Sequence, residues 1–571
     1  MKSLVLTICL LMHSLAAAES LRIKDLQRCG DLLAQSPQSW CLRVEGLCQA
    51  MPTVWLGGQR LAEGKVQRQG AELRLNLVKS GLHSAPLWLE ADNQRSNPVW
   101  LTQRSSHVAA AGPDELARNM DGLATYLNLV SLLIEEQHDG PQEARRIADK
   151  YGAKVVGSIA PLNVYQLRLP VRDLVQRDAM ILRMGSETSV DAVVIEESAP
   201  ERGEEGDARP AKAASQADEW AANRFMDALY YYQRRIPASQ VPVQPVRIGV
   251  IEREVDFDNP TFVGYRGACE PGQTCLYARD GKAVGSHGSH VAGILAAQGE
   301  NNDKGFLAGL GKPSPGFEVI VERNSNAGIT AAVAASVNLV EDGVRVLNWS
   351  WGIHRVGSRD IEDNEVDSLL RSGLAMSGYE ELLEEFFLWL RKEHPDVIVV
   401  NSAGNGESWA GTDEYRLPSS FVTDQLLVVG GHQRSDRESP VQDPAHVVKR
   451  HSSNIDPRVD ISAAACIRTA ADKEAHCGTS YATPLVTATV AAMLSINPQL
   501  TPRQLRMLLR RSALTMGARQ DFEPMDAEDL TAPILPSERG GVLQHPDLGR
   551  SARLDMQRAL DLAVQSRDRV R

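Results

Sequence analysis

The hydrophobic rhythm changes several times along the chain. Residues 50–104 carry short alternating runs, Val54-Trp55-Leu56, Leu73-Arg74-Leu75-Asn76-Leu77 and Leu87-Trp88-Leu89, punctuated by Gly, Asn and Pro. Period-two alternation between turn residues predicts strands, so residues 19–110 read as a small β-rich domain whose pattern faintly resembles immunoglobulin-like modules. Over residues 113–137, Leu116, Met120, Leu123, Leu127 and Val130 stand at helical spacing behind Pro113, which predicts a helix. A helix over Glu143–Tyr151 follows, then strands over Lys154–Ile159 and Val164–Leu169, a helix over Val171–Met184 and a strand over Val190–Glu196. That order is ferredoxin-like α+β material. The run Pro200–Ala217 is rich in Glu, Gly, Ala and Arg, cannot bury a core, and reads as an exposed linker. From Val246 onward the pattern becomes α/β. Strands at Val246–Ile251, Val344–Trp349, Val397–Asn401 and Leu426–Val429 alternate with helices such as Val291–Ala297 and Ala482–Ile496. Strands alternating with helices imply a parallel sheet.

The chain has 571 residues, which implies more than one domain. Its net charge of −12 and pI near 5.6 argue against a nucleic-acid partner, which needs a basic face. Lys2, the short apolar run Leu4–Leu15 and the small residues Ala16-Ala17-Ala18 read as a signal peptide over residues 1–18. No other stretch reads as apolar and long enough to cross a membrane, so an exported, soluble protein, periplasmic or extracellular, is expected. Export makes disulfides plausible for the seven remaining cysteines. Cys269 and Cys275 bracket a turn-forming loop, and Cys466 and Cys477 flank a short polar loop, so each pair is placed for a local bond. Cys29, Cys41 and Cys48 compete for one further bond, which spacing leaves open.

Three segments carry chemistry: Val250-Ile251-Glu252-Arg253-Glu254-Val255-Asp256, Ser286-His287-Gly288-Ser289-His290-Val291-Ala292-Gly293 and Gly478-Thr479-Ser480-Tyr481-Ala482-Thr483-Pro484. A hydroxyl becomes a nucleophile near neutral pH when an imidazole takes its proton and a carboxylate orients that imidazole. Acid, His, Ser is one known chain order for this machinery. The second and third segments resemble the His and Ser signatures of the subtilisin-like (peptidase S8) family. The resemblance spans roughly residues 220–565 and implies His287 as general base, Ser480 as nucleophile and a subtilisin-like α/β catalytic domain over residues 220–571. Val346-Leu-Asn-Trp-Ser-Trp-Gly352 resembles the family's substrate-pairing strand, which puts Ser350 and Gly352 on the substrate cleft. Val399-Val-Asn-Ser-Ala-Gly-Asn405 resembles its oxyanion segment, with Asn405 as amide donor beside the Ser480 N–H. Asn324, Asn348 and Asn401 are read as strand-end or turn residues, and His290 as a structural neighbour.

The first segment departs from the family, which has Asp, Ser or Thr, then Gly where this chain has Glu252, Arg253 and Glu254. Glu252 keeps the charge on a side chain longer by one methylene, and is the expected third catalytic residue. Asp256 and Asp258 are nearby alternatives. The resemblance extends to an inhibitory prodomain over residues 111–198, with a processing site in the linker 199–219. The function it implies is an exported serine endopeptidase made as a monomeric zymogen, with polypeptide substrates and its own prodomain as partner. The alternative is a catalytically impaired pseudo-peptidase that acts as a binding module. No metal ligand set is assigned. Glu300-Asn-Asn-Asp-Lys-Gly305 resembles a calcium loop of some members, but the acid that would complete it is Thr261 here, and an Asn/Gly turn is the better reading. The stretch His354–Leu390 reads as an enlarged loop beside the cleft.

Overall fold

The computed structural model describes residues 20–29, 39–47, 50–77, 83–119, 124–198, 216–238, 242–252, 255–267, 269, 272–279, 287–299, 304–311, 316–323, 328–354, 375–405, 416–435, 439–450, 453–454, 459–467, 475–516 and 552–568. The signal-like segment, Cys48, Arg253, Glu254 and nearly all of the linker lie outside them.

The alternating runs near the N-terminus form two antiparallel sheets. One orders Arg22–Arg28, Ser39–Glu45, Glu72–Asn76 and Val66–Gln69. The other is built on Thr53–Leu56 and Ala85–Ala91. Each strand turns alternate residues inward, and Ile23, Leu42, Leu73, Leu75, Leu87 and Leu89 fill a core shared by both sheets. Cys29 and Cys41 are bonded across the first strand pair.

The region expected as a helix over 113–137 is instead a short turn of 3₁₀ helix, a strand Leu116–Arg118 and a long strand Ala124–Ile134. The strand is central, with Val190–Ser198 on one side and Val164–Arg168 on the other, and Lys154–Ile159 lies beyond the latter. Helices Gly140–Tyr151 and Leu174–Met184 belong to the same unit. The misreading has a physical cause. Residues from both faces of this strand are buried, Val130, Leu132 and Ile134 as well as Leu129 and Leu133. A strand covered on both faces loses its period-two pattern, and a continuous apolar run also satisfies helical spacing. The sheet packs against helices Gly328–Glu341 and Ser377–Glu393, and one hydrophobic cluster runs through all three, joining Val130 and Val194 to Ala332, Val337, Leu382 and Phe386.

The C-terminal half is built on a ten-stranded sheet. Its parallel core orders Cys275–Tyr277, Phe317–Arg323, Val246–Glu252, Val346–Trp349, Ile398–Ser402, Leu426–Arg434 and Ile461–Ala464. Gly249 lets helix Gly328–Glu341 lie close on this sheet, because a Cβ there would press to 2.8 Å from the Leu339 and Leu347 side chains. The stretch read as a loop over His354–Leu390 contains helix Ser377–Glu393, whose Leu382, Leu383, Phe386 and Leu390 are buried. Helix Thr479–Ile496 corrects a further expectation. It is long and apolar enough to span a membrane, yet every residue in it is buried. It is a central helix with the sheet on one side and helices His287–Ala296 and Met556–Asp568 on others.

Candidate active site

Each predicted reactive side chain sits at the end of an element, as happens where parallel strands deliver loops to one edge of a sheet. Glu252 is the last residue of strand Val246–Glu252, His287 opens helix His287–Ala296, and Ser480 lies in the first turn of helix Thr479–Ile496. A Glu252 carboxylate oxygen, Oε2, stands 2.8 Å from His287 Nδ1, with the Glu side chain 4% and the His side chain 22% exposed. A carboxylate only accepts, so Nδ1 carries a proton, and in the neutral ring the lone pair is then on Nε2. The longer side chain therefore reaches its imidazole from the strand end.

The two alternative acids are engaged elsewhere. Asp258 bridges Arg266 at 2.8 Å and also pairs with Arg22. The Asp256 carboxylate accepts from the Asp258 amide at 2.9 Å. The His290 ring lies tilted against that of His476, with centroids 4.6 Å apart.

Ser480 and Ser350 bond reciprocally. Ser480 Oγ donates to the Ser350 carbonyl at 3.2 Å, and Ser350 Oγ donates to the Ser480 carbonyl at 2.9 Å. Asn348 Nδ2 donates to Ser350 Oγ at 2.9 Å and Thr487 Oγ1 donates to Asn348 Oδ1 at 2.8 Å, so the strand end is tied to the helix that carries Ser480. Asn405 Oδ1 accepts from the Thr479 amide at 2.8 Å and its hydroxyl at 3.1 Å. Pinning the oxygen fixes the amide plane and leaves the Nδ2 end as the donor directed elsewhere. Cys466 and Cys477 are bonded across a two-strand turn just ahead of Ser480, and Cys269 is bonded to Cys275.

Residues 270–542 match the model of the subtilase family. The matched segment is a subtilisin-like serine peptidase domain. Its match begins after the strand that carries Glu252, where the motif departs. A probable subtilase-type serine protease of Deinococcus radiodurans is 22% identical over 65% of this chain and 50% of its own length. Fervidolysin of Fervidobacterium pennivorans is 25% identical over 48% of this chain and 37% of its own length. Subtilisin of Bacillus pumilus is 26% identical over 48% of this chain and 85% of its own length. The chain thus spans half or less of the first two relatives. The fervidolysin crystal structure, described as that of a keratinolytic enzyme related to subtilisin, aligns over 80% of this chain and 64% of its own with a TM-score of 0.48 and 16% identity.

Motif reading missed several polar residues of the peptidase domain that hold the site. Asn401 Nδ2 donates to the Trp349 and Trp351 carbonyls, both at 2.8 Å, clamping the Ser350 segment to the next strand. Thr479 anchors Asn405. Arg416, 4% exposed, lies against Gly352 and Gly404. The position of Thr479 beside Ser480 was a usable signal; nothing in the local sequence marked Arg416.

Proposed function

We propose that this protein hydrolyses peptide bonds through an acyl-enzyme formed on Ser480. The observation that carries the proposal is the 2.8 Å contact between Glu252 and His287, which in the neutral ring leaves Nε2 as the basic nitrogen, with the His287 ring 5.5 Å from that of Tyr481, the residue after Ser480. For attack, Ser480 Oγ leaves the Ser350 carbonyl and passes its proton to His287 Nε2. Glu252 stabilises the imidazolium. The substrate carbonyl oxygen becomes an oxyanion, for which the Asn405 amide and the Ser480 N–H are the donors, and the helix N-terminus favours the same charge. His287 then protonates the leaving amine, and water repeats the cycle to release the acyl group.

The unit around strand Ala124–Ile134 serves as an inhibitory prodomain. Its order β-α-β-β-α-β is ferredoxin-like once that strand is counted, and it sits on two helices of the peptidase domain. Its last strand carries Glu196, whose carboxylate accepts from the Ile329 and Thr330 amides at 3.0 and 2.9 Å, capping helix Gly328–Glu341. That strand leads into the linker 199–219, to which processing is assigned. Export fits the N-terminal segment and the bonded cysteines.

A fluorophosphonate probe tests the chemistry: it should label the processed protein at Ser480, and Ser480→Ala should accumulate uncleaved. A protein cleared of its N-terminal piece that takes no label is a binding module and not an enzyme. Identical processing in the Ser480→Ala variant would remove the self-processing step.

A further inference from the structure

We propose that Arg416 makes the site select an acidic side chain on the residue whose carbonyl Ser480 attacks, an assignment that rests on the peptidase reading. Arg416 lies on the short strand Arg416–Leu417, which pairs antiparallel with Ile353–His354 and so runs beside the Ser350–Gly352 segment. Its guanidinium donates to Ser402 through both the carbonyl and the hydroxyl, the latter at 3.0 Å, and to Asn401 Oδ1 and Ser419 Oγ at 3.4 Å each. A Cβ added at Gly352 would overlap this guanidinium, and one added at Gly404 would overlap its Cδ and Nε. The cation therefore lies against both glycines and borders the gap between Ser350–Gly352 on one side and Ser402–Gly404 on the other.

Those two segments end at the reacting groups. Ser350 bonds Ser480, and Gly404 precedes Asn405. A carbonyl within reach of Ser480 Oγ and of the Asn405 amide stands between them. The side chain of that residue enters the same gap and meets Arg416. The guanidinium fork suits a carboxylate, which can take the place of the two long contacts to Asn401 and Ser419. Burial excludes water from the pair, so the charge is weakly screened. A neutral isostere keeps the shape and loses the charge-assisted bonds, which is expected to cost about 10- to 100-fold in kcat/KM.

The test uses processed enzyme from the full chain and quenched peptides identical except for Glu or Gln before the scissile bond. The expected result is a Glu:Gln ratio of kcat/KM of about 10 to 100 in the wild type. The ratio should fall toward one in Arg416→Gln, stay partly above it in Arg416→Lys, and turn against Glu in Arg416→Glu. A wild-type ratio near one overturns the proposal whether or not the variants fold, and so does a ratio unchanged in Arg416→Gln. If no peptide is cut and the probe does not label Ser480, the peptidase reading has failed separately. Binding of Glu-ended against Gln-ended peptides to the processed wild-type protein then reads the gap directly, and equal binding overturns the role of Arg416.

Discussion

Replacing Glu252 is the sharpest test of how His287 is oriented. The contact is 2.8 Å and the carboxylate is almost fully buried, so water is poorly placed to substitute for it. Removing it in Glu252→Ala leaves both imidazole tautomers available, and is expected to lower kcat/KM by about 10⁴, or roughly 5 kcal/mol of barrier. Glu252→Gln should fall by a similar factor. Its amide N–H can donate to Nδ1 and so hold the tautomer whose Nε2 is already protonated. Glu252→Asp is the informative case, because Asp is what the family has. Losing one methylene withdraws the carboxylate by about 1.5 Å and opens the contact to roughly 4 Å with the backbone unmoved, beyond hydrogen bonding. Turnover should therefore drop, by on the order of 10², not rise. The assay is kcat/KM on a quenched peptide, paired with the rate of fluorophosphonate labelling, and with circular dichroism to confirm folding. Activity of Glu252→Ala within tenfold of wild type would show that another group orients His287. An Asp variant faster than wild type would show that the strand end is built for Asp and that Glu is the impaired form.

Two further perturbations probe the scaffold. Glu196→Ala removes the acceptor for two helix amides and lies 3.2 Å from the Tyr379 hydroxyl. It should weaken docking of the proposed prodomain by about 2–3 kcal/mol, seen as a dissociation constant raised by on the order of 10², with Glu196→Gln intermediate. Unchanged docking would refute the capping role. The second concerns acid stability. His432 is fully buried, and because Asn223 Nδ2 can only donate, its 3.0 Å partner His432 Nε2 accepts and the ring is neutral. Burial first, then the charges of Arg553 and His446, hold its pKa well below the ordinary value. Burial and Arg28 push His107 down to about 4. Groups depressed by folding stabilise above their unfolded pKa, near 6.5, and that contribution is lost as pH falls below it. The melting temperature should decline from about pH 6.5 downward, and His432→Gln should flatten the slope. A wild-type profile level between pH 6.5 and 5 would contradict this.

The candidate site residues were legible because their motifs are local: His287, Ser480 and Asn405 each stand at an element's end with small residues after them. Strands such as Val246–Glu252 and Ile398–Ser402 announced themselves as short apolar runs. Strand Ala124–Ile134 did not, since burial on both faces erased its alternation, and helix Ser377–Glu393 lay in a stretch read as an insertion after the Ser-Trp-Gly segment. Strands Phe317–Arg323 and Ile461–Ala464 and helix Gly328–Glu341 also went unassigned, as stretches without chemistry to draw the eye. Whether Glu252 could reach His287 depended on where a strand stops, which one methylene of side chain does not reveal. Arg416 was hidden for a different reason. Its role comes from two glycines, one 64 and one 12 positions earlier in the chain, that the fold brings against it.

The packing of the N-terminal half leads to a last prediction about processing. Cutting the linker 199–219 breaks one connection, yet the contacts across the break are extensive and mostly buried. The apolar cluster that holds Val130 and Val194 also holds Ala332, Leu382 and Phe386, and so belongs to both pieces. The Asn338 side chain donates to the Ser106 carbonyl at 2.8 Å and accepts from its amide at 3.1 Å. Trp100 Nε1 and Arg104 Nε both donate to the Asp342 carboxylate, at 3.0 and 2.9 Å, and Asn97 Nδ2 donates to the Ala278 carbonyl at 3.2 Å. Separating the pieces would expose the apolar faces of two helices and strand these polar groups. Cleavage should therefore yield two chains on a denaturing gel that still elute as one species in size exclusion. Raising the salt to about 1 M should not part them, because screening acts on exposed charges and not on buried apolar contact. An N-terminal fragment that elutes separately straight after cleavage would refute this. If the pieces stay together, the step that frees the cleft is a second cut within the bound N-terminal piece, and activity should follow its degradation in time and not the first cleavage.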